Sequence, residues 1–344
     1  MENFQSFAVS PANIVLNQAL IQSLDLNAEQ QVVLNPQDLT QYQIQAYQGH
    51  QNKLELIAYA QQLTSTQIAG ISQLLADSVD ANQWLRVITA GDNQGAIGLA
   101  WQLTETLPDD KKQALVEFAA NSQIEIWQAA VRPQIQQAGL LLMDMDSTTI
   151  KIECIDEIAK LAGVGEEVAK VTELAMQGKL DFAESLRGRV ATLKGCPVDV
   201  LDKVANDLPL MHGLARLVKV LKQHDWRVAI ASGGFTYFAD KLKNDLGLDA
   251  AVANTLKIAD GKLLGEVEGR IVDAQVKAET LQALADQFAV EHSQTIAMGD
   301  GANDLTMMAA SALGVAFEAK PIVQQKASVA INHHGLDALL YLIR

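Results

Sequence analysis

The side chains best able to do chemistry sit at the ends of three short apolar runs. LLLMDMD (140–146) finishes on Asp144 and Asp146, and RVAIASG (227–233) on Ser232 and Gly233. QTIAMGD (294–300) finishes on Asp300, with Asn303 and Asp304 close behind in GDGAND. Taken singly, a DxD, an SGG or a GDGAND is more often a turn or a surface loop than a site. Their conjunction is less ordinary, because each follows an apolar run and precedes a helix-like stretch. If the runs are parallel strands of one sheet, their carboxyl ends share an edge and residues as far apart as Asp144 and Asp304 converge. Carboxylates so crowded repel one another unless a cation neutralises them, and hard oxygen donors without a His or Cys cluster favour Mg2+.

A carboxylate in such a site can attack phosphorus and form an aspartyl-phosphate, which makes Asp144 a candidate nucleophile. In extended geometry Asp146 returns to the same side of the strand as Asp144. From there it could protonate a leaving alkoxide and later activate water. Backbone N–H groups after Ser147, the Ser232 hydroxyl and the open backbone of Gly233 could hold phosphate oxygens. Lys277 could supply a fixed positive charge, although a lone lysine is usually solvated. GxxxxGK[ST] is absent and no GxGxxG follows a strand-like run, so a P-loop or a dinucleotide site has little support.

The elements that must position these groups follow from the apolar patterning. Continuous rather than alternating apolarity suits strands buried on both faces of a parallel sheet. Leu214, Leu217, Val218 and Leu221 follow the i, i+3, i+4, i+7 spacing of a helix face packed on such a sheet. The segment between the first two strands far exceeds one crossover helix. It reads as helical in IDEIAKLAGVGEEVAKVTELAMQ and FAESLRGRVATLKG, and is placed to cap the carboxyl ends of the strands. Residues 252–269 read as a hairpin turning at Asp260-Gly261. The first 135 or so residues are rich in Gln and poor in Gly. They alternate strand-like LELIAYA (54–60), WLRVITA (84–90) and IEIWQAA (124–130) with helix-like 64–78 and 109–122, a small α/β pattern with no catalytic constellation. VRPQIQQAG (131–139) is the expected boundary.

The chain has 344 residues and a net charge of −15, which disfavours nucleic acid and anionic membrane as main partners. Cys154 and Cys196 lack CxxC spacing, as expected of a reducing cytoplasm. Neither a membrane span nor a signal peptide is evident.

In order, DMDST (144–148), SGG (232–234), Lys277 and GDGAND (299–304) resemble the four motifs of the haloacid dehalogenase superfamily. The resemblance covers about residues 138–344. It narrows to the phosphoserine phosphatase family through ECIDEIAKLAG, FAESLRGRV, IASGGFT and MGDGANDL. It implies a Rossmannoid parallel-sheet α/β core (136–152 and 213–344) with a helical cap (153–212) inserted after the first strand. A small N-terminal α/β domain (1–135), similar to regulatory ACT domains or a degenerate fold used only for packing, would serve ligand sensing or dimerisation, so that a homodimer is a candidate assembly. The implied reaction is Mg2+-dependent hydrolysis of phosphoserine to serine; another small phosphomonoester such as phosphothreonine or homoserine phosphate is the alternative.

By the same resemblance, Asp144 is nucleophile and Mg2+ ligand, and Asp146 is acid/base and binds Mg2+ through its backbone carbonyl. Asp300 completes the metal ligands with Asp304 in support. Ser232, Gly233 and Lys277 bind phosphate, and Asn303 contacts phosphate or helps place Lys277. Glu153 and Arg189 read the substrate's ammonium and carboxylate, and Met176 and Phe182 exclude water. An Asp at 146 fits a phosphatase better than a dehalogenase, which lacks the second acid, or an ion pump, which carries Thr there. From the residues alone Glu153 could simply be a helix N-terminal acid, and Arg187 is as good a candidate as Arg189.

Overall fold

A computed structural model describes residues 5–6, 15–16, 30–35, 38–39, 41–46, 54–80, 85–90, 96–176 and 179–344. The chain divides into two compact units, one of residues 1–132 with 331–344 and the other of residues 133–330.

In the first unit the strands are β1 (Gln5–Ser6), β2 (Val15–Leu16), β3 (Gln30–Leu34), β4 (Gln41–Ala46), β5 (Glu55–Ala60), β6 (Leu63–Thr64), β7 (Leu85–Ile88), β8 (Ile97–Gln102) and β9 (Glu125–Gln128). Helix α1 (Ser65–Leu74) lies between β6 and β7, and α2 (Asp109–Ser122) between β8 and β9. The main sheet has the order β1-β4-β3-β7-β8-β5-β9. Within it β5-α1-β7-β8-α2-β9 forms the antiparallel β-α-β-β-α-β arrangement of ferredoxin-like folds, with β5 between β8 and β9. The last residues of the chain pack here: Glu125 accepts the N–H groups of Asn332, His333 and His334, and Arg132 donates to the carbonyls of Tyr341 and Leu342. The family resemblance places residues 331–344 with the other domain, whereas these polar contacts tie them to the N-terminal unit.

The second unit is built on a sheet of order β13-β12-β11-β10-β14-β15-β16. Its strands are β10 (Leu140–Met143), β11 (Arg227–Phe235), β12 (Ala250–Ala259), β13 (Lys262–Glu268), β14 (Thr295–Gly299), β15 (Leu313–Phe317) and β16 (Val329–Ile331). β10 is central and pairs in parallel with β11 and β14, while β12 and β13 form the antiparallel hairpin expected from Asp260-Gly261. Leu140 to Met143 are all 0% exposed, so β10 is covered on both faces, as its unbroken apolarity requires.

Between β10 and β11 come α3 (Cys154–Ala162), α4 (Gly165–Met176), α5 (Phe182–Thr192) and α6 (Asp199–Ala205), the helical insert, and then α7 (Leu214–Gln223). α8 (Thr236–Leu246), α9 (Ala274–Phe288), α10 (Leu305–Ala309) and α11 (Pro321–Lys326) complete the crossovers. The insert leaves and rejoins the core through two chains held side by side. The Lys151 N–H donates to Pro209 O, and the Met211 N–H to Thr149 O, each at 2.9 Å.

Candidate active site

Asp144 follows the last residue of β10, and its backbone N–H donates to Met298 O of β14 at 2.9 Å, which fixes it at the sheet edge. The chain then turns: the N–H groups of Thr148, Thr149 and Ile150 all donate to Met145 O, and Ser147 takes φ 57°. Alternation along an extended strand is the expected reason for Asp144 and Asp146 to share a side, and the structure supplies a different one. The turn brings Asp146 back, so that both carboxylates line a cavity of about 230 Å³. Asp146 Oδ1 accepts the Cys154 N–H at the start of α3 (3.1 Å). Burial, and then the neighbouring Glu153 and Asp144, push the Asp146 carboxyl up to about 8. The shift favours the protonated form, the state a general acid needs.

Lys277 stands in the first turn of α9, whose N-cap Asp273 accepts the Val276 N–H at 2.9 Å. The lysine is 0% exposed, with Nζ 2.8 Å from Asp144 Oδ1 and 2.7 Å from Asp304 Oδ1. Burial alone would strip its charge, but the two carboxylates outweigh that and hold the ammonium above its ordinary value.

One oxygen each of Asp144, Asp300 and Asp304 lies within 4.8 Å of the others. Burial and then Asp144 raise the Asp300 carboxyl above its ordinary value; the same causes push Asp304 up to about 7 even though Lys277 opposes the shift. Beyond burial, part of each shift comes from the like charge of Asp144, which a bound cation would offset. An all-carboxylate donor set fits a hard divalent cation, and these three residues could hold one.

From β11, Ser232, Gly233 and Gly234 line the same cavity. The glycines are needed for close approach: a Cβ on Gly233 would sit 2.6 Å from Phe182 Cζ, and one on Gly234 would sit 2.6 Å from Asp146 Oδ2. The insert closes the other side with Glu153, which accepts the Ser147 hydroxyl at 2.8 Å, and with α5. Phe182, Leu186 and Arg189 on α5 follow i, i+4, i+7, so one helix face presents them to the cavity. Arg189 lines it with a buried Nε that has no hydrogen-bond partner, whereas Arg187 is exposed. The geometry therefore separates two arginines that residue type alone leaves equal.

The structure brings Asp144, Asp146, Glu153, Phe182, Arg189, Ser232, Gly233, Asp300 and Asn303 to one cavity, with Lys277 and Asp304 joined to it through Asp144. Met176 ends α4, and its side chain lies outside the described residues. Ile155, Leu186 and Phe235 also line the cavity and were not anticipated, although the helical spacing from Phe182 to Arg189 points to Leu186.

A profile of the haloacid dehalogenase-like hydrolases matches residues 139–311. The phosphoserine phosphatase of Haemophilus influenzae is 54% identical over 228 residues, 66% of this chain and 73% of that protein. The chain belongs to the haloacid dehalogenase-like hydrolases and, within them, to the phosphoserine phosphatases. The unliganded structure of a probable phosphoserine phosphatase from Vibrio cholerae superposes with a TM-score of 0.71 at 43% identity, covering 85% of this chain and 86% of that one. A phosphoserine phosphatase solved as a substrate-bound complex gives a TM-score of 0.57 at 42% identity, covering 60% of this chain and 99% of that one. A phosphatase of this family needs a nucleophile, a proton carrier and a phosphate cradle, and the cavity gathers candidates for all three.

Proposed function

We propose that this chain hydrolyses O-phospho-L-serine to L-serine and phosphate, the closing step of a serine-forming sequence. The observation that carries the substrate is the cavity's polarity. Asp144, Ser232, Gly233 and Asn303 line it from the core and Glu153 and Arg189 from the insert. The unpartnered Arg189 Nε is a buried donor suited to a carboxylate, and Glu153 suits an ammonium. A phosphorylated amino acid has matching groups at its two ends.

In the reaction, an Asp144 carboxylate oxygen attacks phosphorus and the P–O bond to serine breaks. Asp146 gives its proton to the leaving alkoxide and then takes one from the water that hydrolyses the aspartyl-phosphate, so it ends as it began. Lys277 holds Asp144 in line and offsets phosphate charge, with the Ser232 hydroxyl, Gly233 backbone and Asn303 around the phosphoryl oxygens. Asp144, Asp300, Asp304 and the Asp146 carbonyl would hold Mg2+, which when bound would neutralise the phosphate and carboxylate charges. Phe182 and Met176 would exclude water as the cap closes.

Among the described residues no helix is long and apolar enough to cross a membrane, and both cysteines are free, which supports a cytoplasmic setting. The ferredoxin-like unit would sense a ligand or pair two copies. Phosphate release from phosphoserine, phosphothreonine and non-amino-acid phosphomonoesters with Mg2+, in wild type and Arg189→Ala, tests the reading. Wild type should prefer phosphoserine and Arg189→Ala should lose that preference; no turnover of phosphoserine would end the proposal.

A further inference from the structure

Between β11 and β12 the ladder breaks register: Ala231 pairs with Val252, and the next pair is Phe235 with Asn254. Ser232, Gly233 and Gly234 therefore stand opposite the single residue Ala253 and bulge out of the sheet, away from ladder partners. Asn254 answers this with its side chain. Its Nδ2 donates to Gly233 O at 2.8 Å, its Oδ1 accepts the Val272 N–H at 2.9 Å, and the residue is 1% exposed. The partners assign the amide, since a carbonyl needs a donor and an N–H needs an acceptor. Aspartate would offer no donor and leucine neither group.

A peptide is planar and trans, so its C=O and N–H point in opposite directions. Held at its oxygen by Asn254, the Gly233–Gly234 peptide aims the Gly234 N–H the other way, onto Ser232 Oγ at 2.9 Å. A hydroxyl whose oxygen accepts that N–H keeps its own proton for another acceptor. Ser232 is itself 1% exposed and lines the cavity with Asp144. The Val272 end anchors the amide beside Asp273, the cap of the helix that carries Lys277.

We propose that Asn254 is a positioning residue for phosphate recognition: by fixing the Gly233 carbonyl it turns the Ser232 hydroxyl proton toward the phosphoryl oxygens. This rests on the phosphate-binding role proposed for Ser232. The experiment is a double-mutant cycle of Asn254→Asp and Ser232→Ala in the full chain with Mg2+, read by phosphoserine kcat/KM and by competitive inhibition with inorganic phosphate. Asn254→Asp keeps volume and the acceptor for Val272 but removes the donor; Asn254→Ala serves as the second variant.

Each single change should weaken phosphate inhibition and kcat/KM by about tenfold, the scale of one buried hydrogen bond. The double variant should be no worse than Ser232→Ala alone, within about twofold, because both act through one hydroxyl. Losses that multiply would overturn the inference, as would Asn254 variants that melt earlier yet keep wild-type phosphate inhibition in the folded fraction. If Ser232→Ala itself leaves phosphate inhibition intact, the phosphate role of Ser232 falls and takes this inference with it. Weakening by Ser232→Ala alone would leave that role standing and sink only the part given to Asn254.

Discussion

Each compact unit holds a buried charge cluster, and the two are unbalanced in opposite directions. In the N-terminal unit one carboxylate, Glu55, faces Arg86 at 2.7 Å, Arg132 at 2.8 Å and Arg344 at 3.9 Å. Burial alone would raise the Glu55 carboxyl, but the arginines, Arg86 foremost, outweigh it and hold the group below its ordinary value. In the catalytic unit one cation, Lys277, faces Asp144 and Asp304, and Asp300 adds a third carboxylate. There the carboxylates Asp146, Asp300 and Asp304 are all shifted up. A carboxylate surrounded by guanidiniums is settled and holds segments together. Carboxylates left short of positive charge repel one another, and a bound cation would relieve that repulsion.

Removing Asp144 should separate the two roles most sharply. Asp144→Asn should lower phosphoserine turnover on the order of 10⁴-fold or more. It also relieves repulsion, so the melting temperature of the metal-free protein should hold or rise; a marked fall would mean that Asp144 is structural like Glu55. The converse change is Arg132→Met, whose native side chain is 1% exposed and bonds Glu55, Tyr341 O and Leu342 O. Glu55 keeps Arg86, so losing this partner and the two carbonyl contacts should destabilise the N-terminal unit by about 1–3 kcal/mol in urea unfolding. kcat/KM per folded molecule should stay at the wild-type value, and a loss of activity in step with stability would refute the separation.

How much of each cluster is legible in sequence follows from how it is assembled. Asp144, Ser232 and Asp300 announce themselves because polar residues end apolar runs, a pattern local to each strand. Arg189 needed the helix phase and the cavity to be told from Arg187. Glu55, Arg86, Arg132 and Arg344 carry no local signal, since each is an ordinary charge in its own segment and only the fold of the N-terminal unit joins them. The strand IGLAWQ (97–102) is likewise unannounced, buried at five of its six positions and without period-two alternation. Without it the ferredoxin-like order of that unit does not emerge. Asn254 is hidden for another reason: its value depends on a break in ladder register that no composition reveals.

The opposed shifts also give the clusters opposite pH dependence. Asp146, Asp300 and Asp304 have folded-state values above the unfolded value of about 3.9, so the folded protein binds more protons and loses stability as pH rises through that range. Glu55 is shifted down, so its contribution is present above the unfolded value of about 4.3 and is lost as pH falls through the lower folded value. In thermal melts, Mg2+ should therefore stabilise the protein more at pH 8 than at pH 5, by on the order of 1–3 kcal/mol. Glu55→Gln should flatten the loss of stability on the acid side and leave the Mg2+ difference alone. Equal stabilisation by Mg2+ at both pH values would remove the charge-deficit reading of the cleft.

The smallest expected effect comes from one device used in both units. Thr64 and Gln67 form a capping box at α1, and Asp181 and Glu184 form one at α5, where the Glu184 N–H donates to Asp181 Oδ1 at 2.7 Å. Thr64→Ala and Asp181→Ala should each cost about 1 kcal/mol of stability. Their functional consequences should differ, because α5 begins with Phe182 and carries Leu186 and Arg189 into the cavity. A frayed α5 must be re-ordered when substrate binds, so Asp181→Ala should raise KM for phosphoserine by up to about fivefold, the equivalent of that 1 kcal/mol. kcat should hold, since Asp144, Asp146 and Lys277 stand on other elements. Thr64→Ala should change neither constant. A kcat effect in Asp181→Ala would mean that α5 takes part in the chemical step rather than only in holding the amino-acid end of the substrate.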